Sequence, residues 1–487
     1  MAFGLAAARA AAAPSLAQLD PKVMSYYPST GGWTTMWQRW DPARYRADFR
    51  RVAGLGATSV RIIVQAGVVG FPQPEPLYLD RLHELVTIAG EEGLTVQLTL
   101  FDWLGEHGLA GSYADIAGSE QWASVLLGPY VGDPRLAFVE VRNELDANNP
   151  AALAWAHDLI PFVRQVLLGE VPVTVSVSAA DPVASLRALK LGLGGADPDF
   201  YTLHYFTGGG ETSYWTLRDA QAAVAPTALW LGETGYPTSV QISGYSDLPE
   251  TPSAQGAAQA HFLKTIAFAA RQAGLPAPGV WTLDDFAPGT IPVEPELQKE
   301  PEYDFGLFTL DGKEKPAAAV MRQVFAGRAP TAFNEGFETV VADGRGGSLP
   351  AEWSGYADPR MGLGVGLRAH RGRHAARIWS RDGRAGSGVF YVAPIAAFAR
   401  PRHEAVASAW MRSASRGARV RIALDWLDAA GNYLATRNSP APARSTGWTQ
   451  VRVAAVPPPE ARSVRIYLKV ARSPGTVWFD DVRFVWR

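Results

Sequence analysis

Two glutamates stand at the ends of two apolar, strand-like segments of the chain. Phe138-Val-Glu-Val-Arg-Asn-Glu144 runs into Glu144, and Leu229-Trp-Leu-Gly-Glu233 runs into Glu233, 89 residues further on. Burying an ionised carboxylate away from water costs free energy unless the charge is paired. A glutamate at the end of an apolar strand therefore indicates a functional role. Two carboxylates, one giving a proton and the other attacking carbon, are the minimum equipment for cleaving a glycosidic bond.

Strand-like and helix-like segments alternate from about residue 22 to 327, and these elements must position the two glutamates. Several of the strand candidates are apolar throughout, as is typical of strands buried on both faces of a parallel sheet. The predicted strands are Val23–Tyr27, Ser59–Val64, Thr95–Phe101, Ala137–Val141, Val173–Val177, Phe200–His204, Ala228–Leu231 and Val280–Leu283. The amphipathic stretches between them include Tyr45–Gly54, Leu77–Gly93, Ala151–Leu168, Gln255–Gly274 and Lys315–Phe325.

Eight such repeats in roughly 300 residues predict an α/β fold, the (β/α)8 TIM barrel, over residues 21–329. The alternative, an open doubly wound sheet, normally carries a glycine-rich phosphate turn after its first strand. The chain has Ser29-Thr-Gly-Gly-Trp33 at that place, which does not match. In a barrel the active site lies at the carboxyl ends of the strands, so Glu144 on strand four and Glu233 on strand seven would face each other across the mouth.

After Ala329-Pro330 the sequence pattern changes to one that is typical of β-strands only. Short alternating runs such as Val420–Trp426, Thr449–Val453 and Ser463–Leu468 are separated by turn residues, which predicts a jelly-roll β-sandwich over residues 330–487. The charge changes at the same place. Residues 331–487 hold 23 Lys and Arg against 12 Asp and Glu, a net +11, whereas residues 1–330 hold 22 against 35, a net −13.

Composition excludes several classes of function. The chain has no cysteine, which rules out disulfides and thiolate metal sites. No apolar run reaches the ~18 residues that a membrane span needs, so no membrane partner is expected. The arginines of the C-terminal part are scattered, which favours a solvated surface over a nucleic-acid site. Residues 1–20 are Ala-rich and read either as the remnant of a secretory signal or as a disordered tail; secretion is favoured over a cytoplasmic location.

A set of motifs follows the barrel strands in order. They are Ser59-Val-Arg61, Val141-Arg-Asn-Glu144, His204-Tyr205, Gly232-Glu-Thr-Gly235, Trp281 and Phe305-Gly-Leu-Phe-Thr-Leu-Asp-Gly312. This set resembles the retaining glycoside hydrolases of clan A, and most closely family 5. The resemblance covers the whole barrel and is highly specific for the clan, less so for the family.

The resemblance implies a role for each matching residue. Glu144 would be the general acid/base and Glu233 the nucleophile. Asn143 would hold the sugar 2-hydroxyl, and Arg61 would lie beside Glu233 and keep it ionised, although Arg61 could equally be a structural ion-pair partner. Trp281 would be the flat platform on which the sugar stacks.

Other positions depart from the family pattern or leave alternatives open. His204 and Tyr205 are adjacent, whereas the family commonly separates them by one residue, so either could reach Glu233. Asp102 and Trp103 end strand three, where many members carry histidine, and we take both as substrate contacts. A further group of tryptophans could wall the pocket or form a hydrophobic lid: Trp33, Trp37 and Trp40.

The C-terminal segment is similar to jelly-roll carbohydrate-binding modules in its opening Phe333-Asn-Glu-Gly-Phe-Glu338 and its closing Val477-Trp-Phe-Asp-Asp-Val482. The resemblance implies that Glu338 and Asp480 approach a structural calcium ion. Without the metal, the two carboxylates could simply cap turns. The module could bind glycan or only brace the barrel.

Together these features predict a retaining β-glycosidase that acts by double displacement on β-linked gluco- or manno-configured glycans or glycosides. Its catalysis would need no cofactor, and its partner would be an oligosaccharide, polysaccharide or glycoside. The expected carboxyl separation is roughly 5 to 5.5 Å. The alternatives are a transglycosylase using the same site and a non-catalytic glycan-binding barrel. Two long loops, Gly67–Tyr78 and Ala287–Tyr303, favour short substrates, and the oligomeric state stays open.

Overall fold

A computed structural model describes residues 12–102, 112–206, 210–238, 252–290, 300–328, 334–338, 340–342, 348–350, 353–355, 361–380, 387–392, 397–399, 402–414, 419–440, 442, 446–471 and 475–487. The chain divides into two compact units, residues 1–330 and 331–487. The predicted domain boundary lies one residue from this division. Within the described residues, none of the helices has both the length and the apolar character that crossing a membrane requires.

The first unit alternates strands with helices, as the sequence predicts. Its strands are β1 (Val23–Ser25), β2 (Ser59–Ile63), β3 (Thr95–Phe101), β4 (Leu136–Arg142), β5 (Val173–Ser178), β6 (Phe200–His204) and β7 (Ala228–Glu233). Its helices are α1 (Leu16–Leu19), α2 (Thr34–Gln38), α3 (Pro42–Gly54), α4 (Ala66–Val69), α5 (Pro76–Glu91), α6 (Ile116–Leu127), α7 (Pro150–Val166), α8 (Pro182–Gly192), α9 (Gly210–Val224), α10 (Pro252–Gln272), α11 (Glu300–Tyr303) and α12 (Pro316–Phe325). The strands form one parallel sheet in the order β1 to β7, each paired with the next.

The eighth predicted strand, Val280–Leu283, is reduced to a single residue. Val280 forms parallel bridges to Met24 of β1 and to Thr234, the residue after β7. The Ser25 N–H donates to the Val280 carbonyl at 2.9 Å, and the Thr234 N–H donates to the Gly279 carbonyl at 3.1 Å. These bonds join the two edges of the sheet, so the predicted TIM barrel is confirmed. The ladder ends early because at Thr282 the side-chain hydroxyl, rather than the backbone N–H, donates to the Ser25 carbonyl at 2.9 Å.

Glycine is required where this closing segment passes the end of β7. A Cβ atom on Gly279 would lie 2.0 Å from the carbonyl oxygen of Gly232, a distance that no packing adjustment of side chains can relieve. Gly279 therefore allows the chain to complete the barrel.

The N-terminal end of the barrel is covered by α1. Ser15 and Gln18 form a capping box that starts this helix. Leu16 is buried and packs with Val23 and with three aromatic side chains inside the barrel, Phe138, Phe200 and Trp230. The chain from about Ser15 onwards is thus part of the barrel domain rather than of the tail predicted for residues 1–20, and residues 1–11 lie outside the described residues.

A buried ion-pair network ties α3 to the closing segment of the barrel. Asp284 is almost fully buried, and its two carboxylate oxygens each accept a hydrogen bond from the Arg51 guanidinium at 2.6 Å. Arg51 also pairs with Asp48 on its own helix, and Asp48 accepts from the Tyr26 hydroxyl at 2.9 Å. The carboxylate of Asp284, which follows the predicted eighth strand, therefore has a structural use.

The second unit is all-β, as predicted. Its strands are β8 (Val340–Ala342), β9 (Ser348–Pro350), β10 (Ser354–Gly355), β11 (Met361–Gly366), β12 (Ala375–Ser380), β13 (Ser387–Val392), β14 (Ala397–Phe398), β15 (Ala405–Ser413), β16 (Arg419–Leu427), β17 (Tyr433–Asn438), β18 (Thr449–Ala455), β19 (Ser463–Ala471) and β20 (Gly475–Trp486). One antiparallel sheet has the order β10-β13-β19-β16-β17, with β14 beside β19, and the other has the order β11-β12-β20-β15-β18. Alternate residues of β15 are buried, as in a two-sheet sandwich.

The Asp284 network yields a prediction about stability. Asp284→Asn removes the charge that two arginines share, and we expect the free energy of unfolding to fall by about 3 kcal/mol, the scale for breaking a buried ion pair. Asp311→Asn is the matched control, because the Asp311 side chain is 58% exposed and its partners, the Lys313 ammonium and the Thr309 hydroxyl, are at the surface. Urea denaturation followed by tryptophan fluorescence measures both variants; equal, small losses would contradict the prediction.

Candidate active site

Side chains from the carboxyl ends of four strands meet inside the mouth of the barrel. β2 supplies Arg61, β4 and the residues after it supply Glu140 and Glu144, β6 supplies His204, and β7 supplies Glu233. The fold therefore brings the two predicted catalytic glutamates together with a guanidinium, that of Arg61, and an imidazole, that of His204.

Arg61 is fully buried at the centre of this group. Its Nη1 donates to Glu233 Oε2, and its Nη2 donates to Glu140 Oε2 at 2.8 Å and to Asn143 Oδ1 at 2.7 Å. Burial lowers the pKa of Arg61, but the charges of Glu140 and Glu233 outweigh it and leave the pKa raised. Both interpretations of Arg61 therefore agree with its contacts: it is the partner of Glu233, and it also forms a buried ion pair with Glu140.

Glu140 is a residue of the site that sequence reasoning missed. It is fully buried, and its Oε2 also accepts from the Thr99 hydroxyl at 2.6 Å. Burial raises the pKa of Glu140, whereas Arg61 and then His204 lower it, and the net direction is downward. The signal was present, since Glu140 is a carboxylate within an apolar strand, but only the glutamate at the strand tip was singled out.

Asn143 is oriented on both sides of its amide. Its Oδ1 accepts from Arg61, and its Nδ2 donates to Asp102 Oδ1 at 2.9 Å. Asp102 is buried, and its Oδ2 accepts from Gln65 Nε2 at 3.0 Å. Burial raises the pKa of Asp102, opposed by these two amide hydrogen bonds. Asp102 thus positions Asn143 directly. Trp103, the other predicted contact from this strand end, lies outside the described residues.

His204 lies between the two predicted catalytic carboxylates. Its Nδ1 is 3.0 Å from Glu144 Oε1 and 3.8 Å from Glu233 Oε1, and its Nε2 is 3.8 Å from Glu140 Oε1. Burial lowers the pKa of His204, but Glu233 and the hydrogen-bonded Glu144 outweigh it, so the pKa lies above its ordinary value. Of the adjacent pair His204 and Tyr205, the histidine ring is the group placed beside Glu233, while the Tyr205 N–H donates to the Glu233 carbonyl at 2.9 Å.

Glu144 and Glu233 differ in environment. The Glu144 side chain is 27% exposed and that of Glu233 only 9% exposed. Burial raises the pKa of Glu233, and His204 and Arg61 oppose this effect without cancelling it. The donor atoms of Glu144, His204 and Glu233 all lie within 4.8 Å of one another.

The backbone of Glu144 is strained. Its φ of 51° is in the left-handed region, which costs a non-glycine residue roughly 1–2 kcal/mol. Neighbouring strands hold it there: the Glu144 N–H donates to the Ser176 hydroxyl at 2.9 Å, and the Leu145 N–H donates to the Ser176 carbonyl at 2.8 Å. In this conformation Glu144 Oε1 lies 3.0 Å from His204 Nδ1, and such strain concentrates at functional sites.

An aromatic cluster stands beside the charged group. The ring of Trp281 contacts the rings of Tyr27, Trp33 and Phe286 at centroid distances of 6.0, 5.7 and 6.3 Å. Tyr27 stacks on Trp33 at 5.1 Å. Trp33 therefore joins the wall that holds the predicted platform, Trp281.

The other two tryptophans of this segment belong to the packing of α2. Trp37 is fully buried and donates to the Ile63 carbonyl at 3.1 Å. Trp40 stacks on Trp37 and donates to Glu84 at 2.6 Å. The contacts of Trp37 and Trp40 therefore agree with the second alternative, a hydrophobic cover over the helix, rather than with a pocket wall.

A metal ion would find one candidate group in the described part of the chain, the side chains of Glu144, His204 and Glu233. Arg61 already supplies Glu233 with a positive charge, so a cation there would compete with the guanidinium. The same three residues are those of the predicted catalytic chemistry.

The two carboxylates predicted to hold calcium in the second unit accept backbone hydrogen bonds. Glu338 Oε1 accepts from the N–H groups of Arg373 and His374 at 2.9 and 3.1 Å. Asp480 Oδ2 accepts from the N–H groups of His370 and Arg371. Both therefore hold the same short segment, residues 370–374, and this donor set fits turn capping better than calcium ligation. The calcium ion stays a prediction.

Comparisons with known proteins give matches among solved structures. No model of a known protein family matches the sequence. No curated protein matches it. An exo-β-1,4-mannosidase from the Opitutaceae bacterium strain TAV5 is similar with a TM-score of 0.52 and 20% identity, over 63% of this chain and 59% of that one. A GH5_18 protein from Streptomyces cattleya, solved in complex with GlcNAc, gives a TM-score of 0.49 and 20% identity, over 63% and 80% of the two chains.

A family 39 glycoside hydrolase from the gut symbiont Bacteroides cellulosilyticus WH2 gives a TM-score of 0.47 and 13% identity, over 93% of this chain and 81% of that one. The match to the mannosidase from the Opitutaceae bacterium covers only 59% of the length of that protein. At 20% identity, the likeness to the mannosidase shows a shared fold over the matched part of the chain.

The Arg61–Glu140 pair yields a prediction with a definite pH dependence. Glu140→Gln leaves the buried guanidinium with one carboxylate partner, and we expect the unfolding free energy at pH 7 to fall by about 3 kcal/mol. The folded pKa of Glu140 is lowered, so its contribution is present above the unfolded pKa of about 4.3 and is lost as pH falls through the folded value.

The measurement compares urea denaturation of wild type and Glu140→Gln at pH 7 and at pH 3.5. The stability gap between them should narrow at the lower pH. Glu91→Gln, at a side chain that is 52% exposed, should show no gap at either pH. A gap that is the same at both pH values would contradict the assignment.

The carboxylates of Glu338 and Asp480 yield a prediction about calcium. If they cap the 370–374 segment, the melting midpoint should be the same within about 1 °C in 5 mM CaCl2 and in EDTA, since a ligand bound only by the folded state would raise it. Differential scanning fluorimetry makes the comparison. A rise of several degrees that EDTA reverses, and that Asp480→Asn abolishes, would instead support the calcium site.

Proposed function

We propose that the protein is a retaining β-glycosidase that hydrolyses β-linked gluco- or manno-configured glycans or glycosides by double displacement. The observation that carries the proposal is the placement of Glu144 and Glu233 at the ends of β4 and β7, on either side of His204, with the Arg61 guanidinium on Glu233. The substrate partner is an oligosaccharide, a polysaccharide or a glycoside, and the chemistry needs no cofactor.

The spacing of the two carboxylates supports retention. One oxygen of each carboxylate lies within 4.8 Å of one of the other, and this close approach favours retention, for which the carboxyl groups are ~5–5.5 Å apart, over inversion, for which they are ~6.5–9.5 Å apart. In the first step Glu233 attacks the anomeric carbon while Glu144 donates its proton to the leaving oxygen, and a glycosyl ester forms. In the second step Glu144 takes a proton from water, the water oxygen attacks the same carbon, and Glu233 is released as a carboxylate.

The surroundings of each carboxylate suit these roles. Glu233 must be ionised to attack, and Arg61 and His204 work against the rise in pKa that its burial causes. Glu144 is the more exposed of the two, as a group that exchanges protons with the leaving oxygen and with water should be. Asn143, fixed by Arg61 and Asp102, keeps one amide hydrogen for the sugar 2-hydroxyl. Nearby, an indole face is held by three other aromatic rings.

The choice of sugar is supported less directly than the chemistry. The printed name of the fold relative from the Opitutaceae bacterium describes an exo-β-1,4-mannosidase, so a β-mannoside is the first substrate to try. A transglycosylase using the same ester intermediate is the alternative enzyme, and it would pass the sugar to an added acceptor instead of to water. The retained Arg61, Asn143, Glu144 and Glu233 weigh against a glycan-binding barrel without activity.

The proposal predicts activity that depends on Glu233. We expect wild type to hydrolyse one member of a panel of aryl β-glycosides (mannoside, glucoside, galactoside, xyloside and cellobioside) and Glu233→Ala to lose at least ~10⁴-fold in kcat, because the nucleophile acts in the rate-determining chemistry. Glu91→Ala is the exposed control. Ordinary turnover by a folded Glu233→Ala protein would refute the assignment.

Stereochemistry separates the two carboxylate roles. Proton NMR of the first product formed by wild type should show the β-anomer. With azide added, Glu233→Ala should release the α-glycosyl azide, since azide enters where the nucleophile was, and Glu144→Ala should release the β-glycosyl azide from the ester. A first product of α configuration would mean inversion.

A further inference from the structure

Two buried polar atoms beside the proposed catalytic pair face each other without forming a hydrogen bond. They are Oε1 of Glu140, on β4, and Nε2 of His204, at the end of β6, and they lie 3.8 Å apart. Both side chains are almost fully buried, and within the described residues neither atom has a hydrogen-bond partner. A buried polar atom left unpaired costs free energy, so a bond between these two atoms would satisfy both.

The other polar atoms of these two side chains are already occupied. Oε2 of Glu140 accepts four hydrogen bonds, from Arg61 Nε and Nη2 at 3.0 and 2.8 Å, from the Thr99 hydroxyl at 2.6 Å and from Gln97 Nε2 at 3.3 Å. The other ring nitrogen of His204, Nδ1, lies 3.0 Å from Glu144 Oε1. Oε1 and Nε2 therefore remain for each other, and a shift of about 1 Å would close the bond. Catalytic hydrogen bonds are often long without substrate and tighten when it binds.

The charge of Glu140 decides which of the two atoms is the donor. Burial raises the pKa of Glu140, but Arg61, then His204 and the Ser176 hydroxyl, lower it, and the net direction is downward. Glu140 is therefore ionised at neutral pH, and an ionised carboxylate can only accept a hydrogen bond. The hydrogen between Glu140 and His204 must then belong to Nε2 of the ring.

We propose that Glu140 is a positioning residue that holds a proton on His204 Nε2, so that Nδ1 is the atom through which His204 acts on the proton of Glu144. The inference deepens the proposed glycosidase function and rests on it. With hydrogen on Nε2, the neutral ring presents a lone pair at Nδ1, and the Glu144 carboxyl group donates to it. A hydrogen bond donated by the protonated carboxyl group favours the acid form of Glu144, which the first step of the reaction requires.

The proton count through the two steps follows from this arrangement. Before the first step, one proton is shared between Glu144 Oε1 and His204 Nδ1, and a second lies on Nε2. Glu144 passes the shared proton to the leaving oxygen and takes one from water in the second step, while the Nε2 proton stays in place. With the ring hydrogen on Nδ1 instead, the ring would donate to Glu144 and would stabilise its carboxylate form.

Other charged groups also act on His204 and Glu144. Burial lowers the pKa of His204, Glu233 and Glu144 raise it, and Arg61 lowers it. Three neighbouring carboxyl groups have a pKa that burial raises and that the charge of Glu144 raises further: those of Glu233, Asp102 and Glu302. None of these side chains is altered in the variants of Glu140 and Thr99 described below.

The test is Glu140→Gln, because the amide reverses the donor and the acceptor at Nε2. The four donors around Oε2 require the amide oxygen there, so the amide nitrogen takes the place of Oε1 and donates to Nε2. The ring hydrogen then lies on Nδ1 and stabilises the Glu144 carboxylate. We expect the alkaline limb of the pH profile of kcat/KM, on the preferred aryl β-glycoside, to move to lower pH by about 1 to 2 units, the effect of one hydrogen bond to a charged group.

Nitrogen-15 NMR gives a second readout that does not depend on turnover. The protein is labelled in its eight histidines, and the two ring nitrogens of His204 are assigned by the loss of their signals in His204→Gln. As the pH rises, wild type should lose the proton from Nδ1 and keep it on Nε2, whereas Glu140→Gln should keep it on Nδ1. A wild type that loses the Nε2 proton first would overturn the inference, even if Glu140→Gln failed to fold.

Thr99→Val is the matched control for effects that run through Arg61. The Thr99 hydroxyl donates to Glu140 Oε2 and accepts from Arg61 Nε at 3.2 Å, so its loss disturbs that pair while Oε1 still faces His204. Thr99→Val should keep the wild-type tautomer and alkaline limb. An equal shift of the limb in both variants would place the effect at Arg61 and contradict the inference.

The remaining outcomes separate the two proposals. A folded Glu140→Gln protein with the wild-type tautomer and alkaline limb would refute the role of Glu140 while leaving the glycosidase proposal intact. A wild type inactive on every glycoside would refute both.

Discussion

The buried guanidinium of Arg61 is the interaction on which the rest of the site depends. A cation with no exposed surface is tolerable only when its charge and its donors are matched, and Arg61 is matched by Glu140 beneath it and by Glu233 towards the mouth. Its remaining donor fixes the amide of Asn143. One side chain thus sets the relative positions of residues from β2, β4 and β7.

The site holds more negative than positive charge, and this balance explains the division of labour among its carboxyl groups. Glu140 Oε2 and both carboxylate oxygens of Asp102 accept hydrogen bonds from protein donors, and these two residues position Arg61 and Asn143. One carboxylate oxygen of Glu144 lies within 4.8 Å of one of Glu233, and the charge of Glu144 contributes to the raised pKa of Glu233. His204 lies between the two catalytic candidates, and the charge of Glu233 and the hydrogen bond with Glu144 outweigh the effect of burial and raise the pKa of His204. The strained backbone of Glu144 costs stability, which is the pattern expected of a group that serves chemistry rather than folding.

The closing segment of the barrel links this chemistry to the fold. Val280 joins the edges of the sheet, Trp281 follows it into the site, and Asp284 anchors the segment to α3 through Arg51. The position of Trp281, the proposed sugar platform, is therefore set by the same residues that complete the barrel. A loss of this anchor would affect stability and platform geometry together.

The fold class, the strand that carries each predicted residue and the identity of the two paired glutamates could all be predicted from the sequence, because they follow from local periodicity and from carboxylates placed in apolar runs. The strand limits agree closely for β3 and β6, and the seventh strand runs on to Glu233 itself. The reduction of the eighth strand to Val280 could not be predicted from its apolar pattern, since it depends on hydrogen bonds to β1 and on the close approach of Gly279 to Gly232.

Which groups touch one another in the site became known from the folded chain. His204 rather than the Tyr205 ring lies beside Glu233, Asp102 holds Asn143, and Trp33 belongs to the aromatic wall, apart from Trp37 and Trp40. Glu140 joins the site from within strand β4. Such contacts join residues far apart in the chain, so they depend on strand register, loop paths and shared ion pairs, which leave no periodic signal in the sequence.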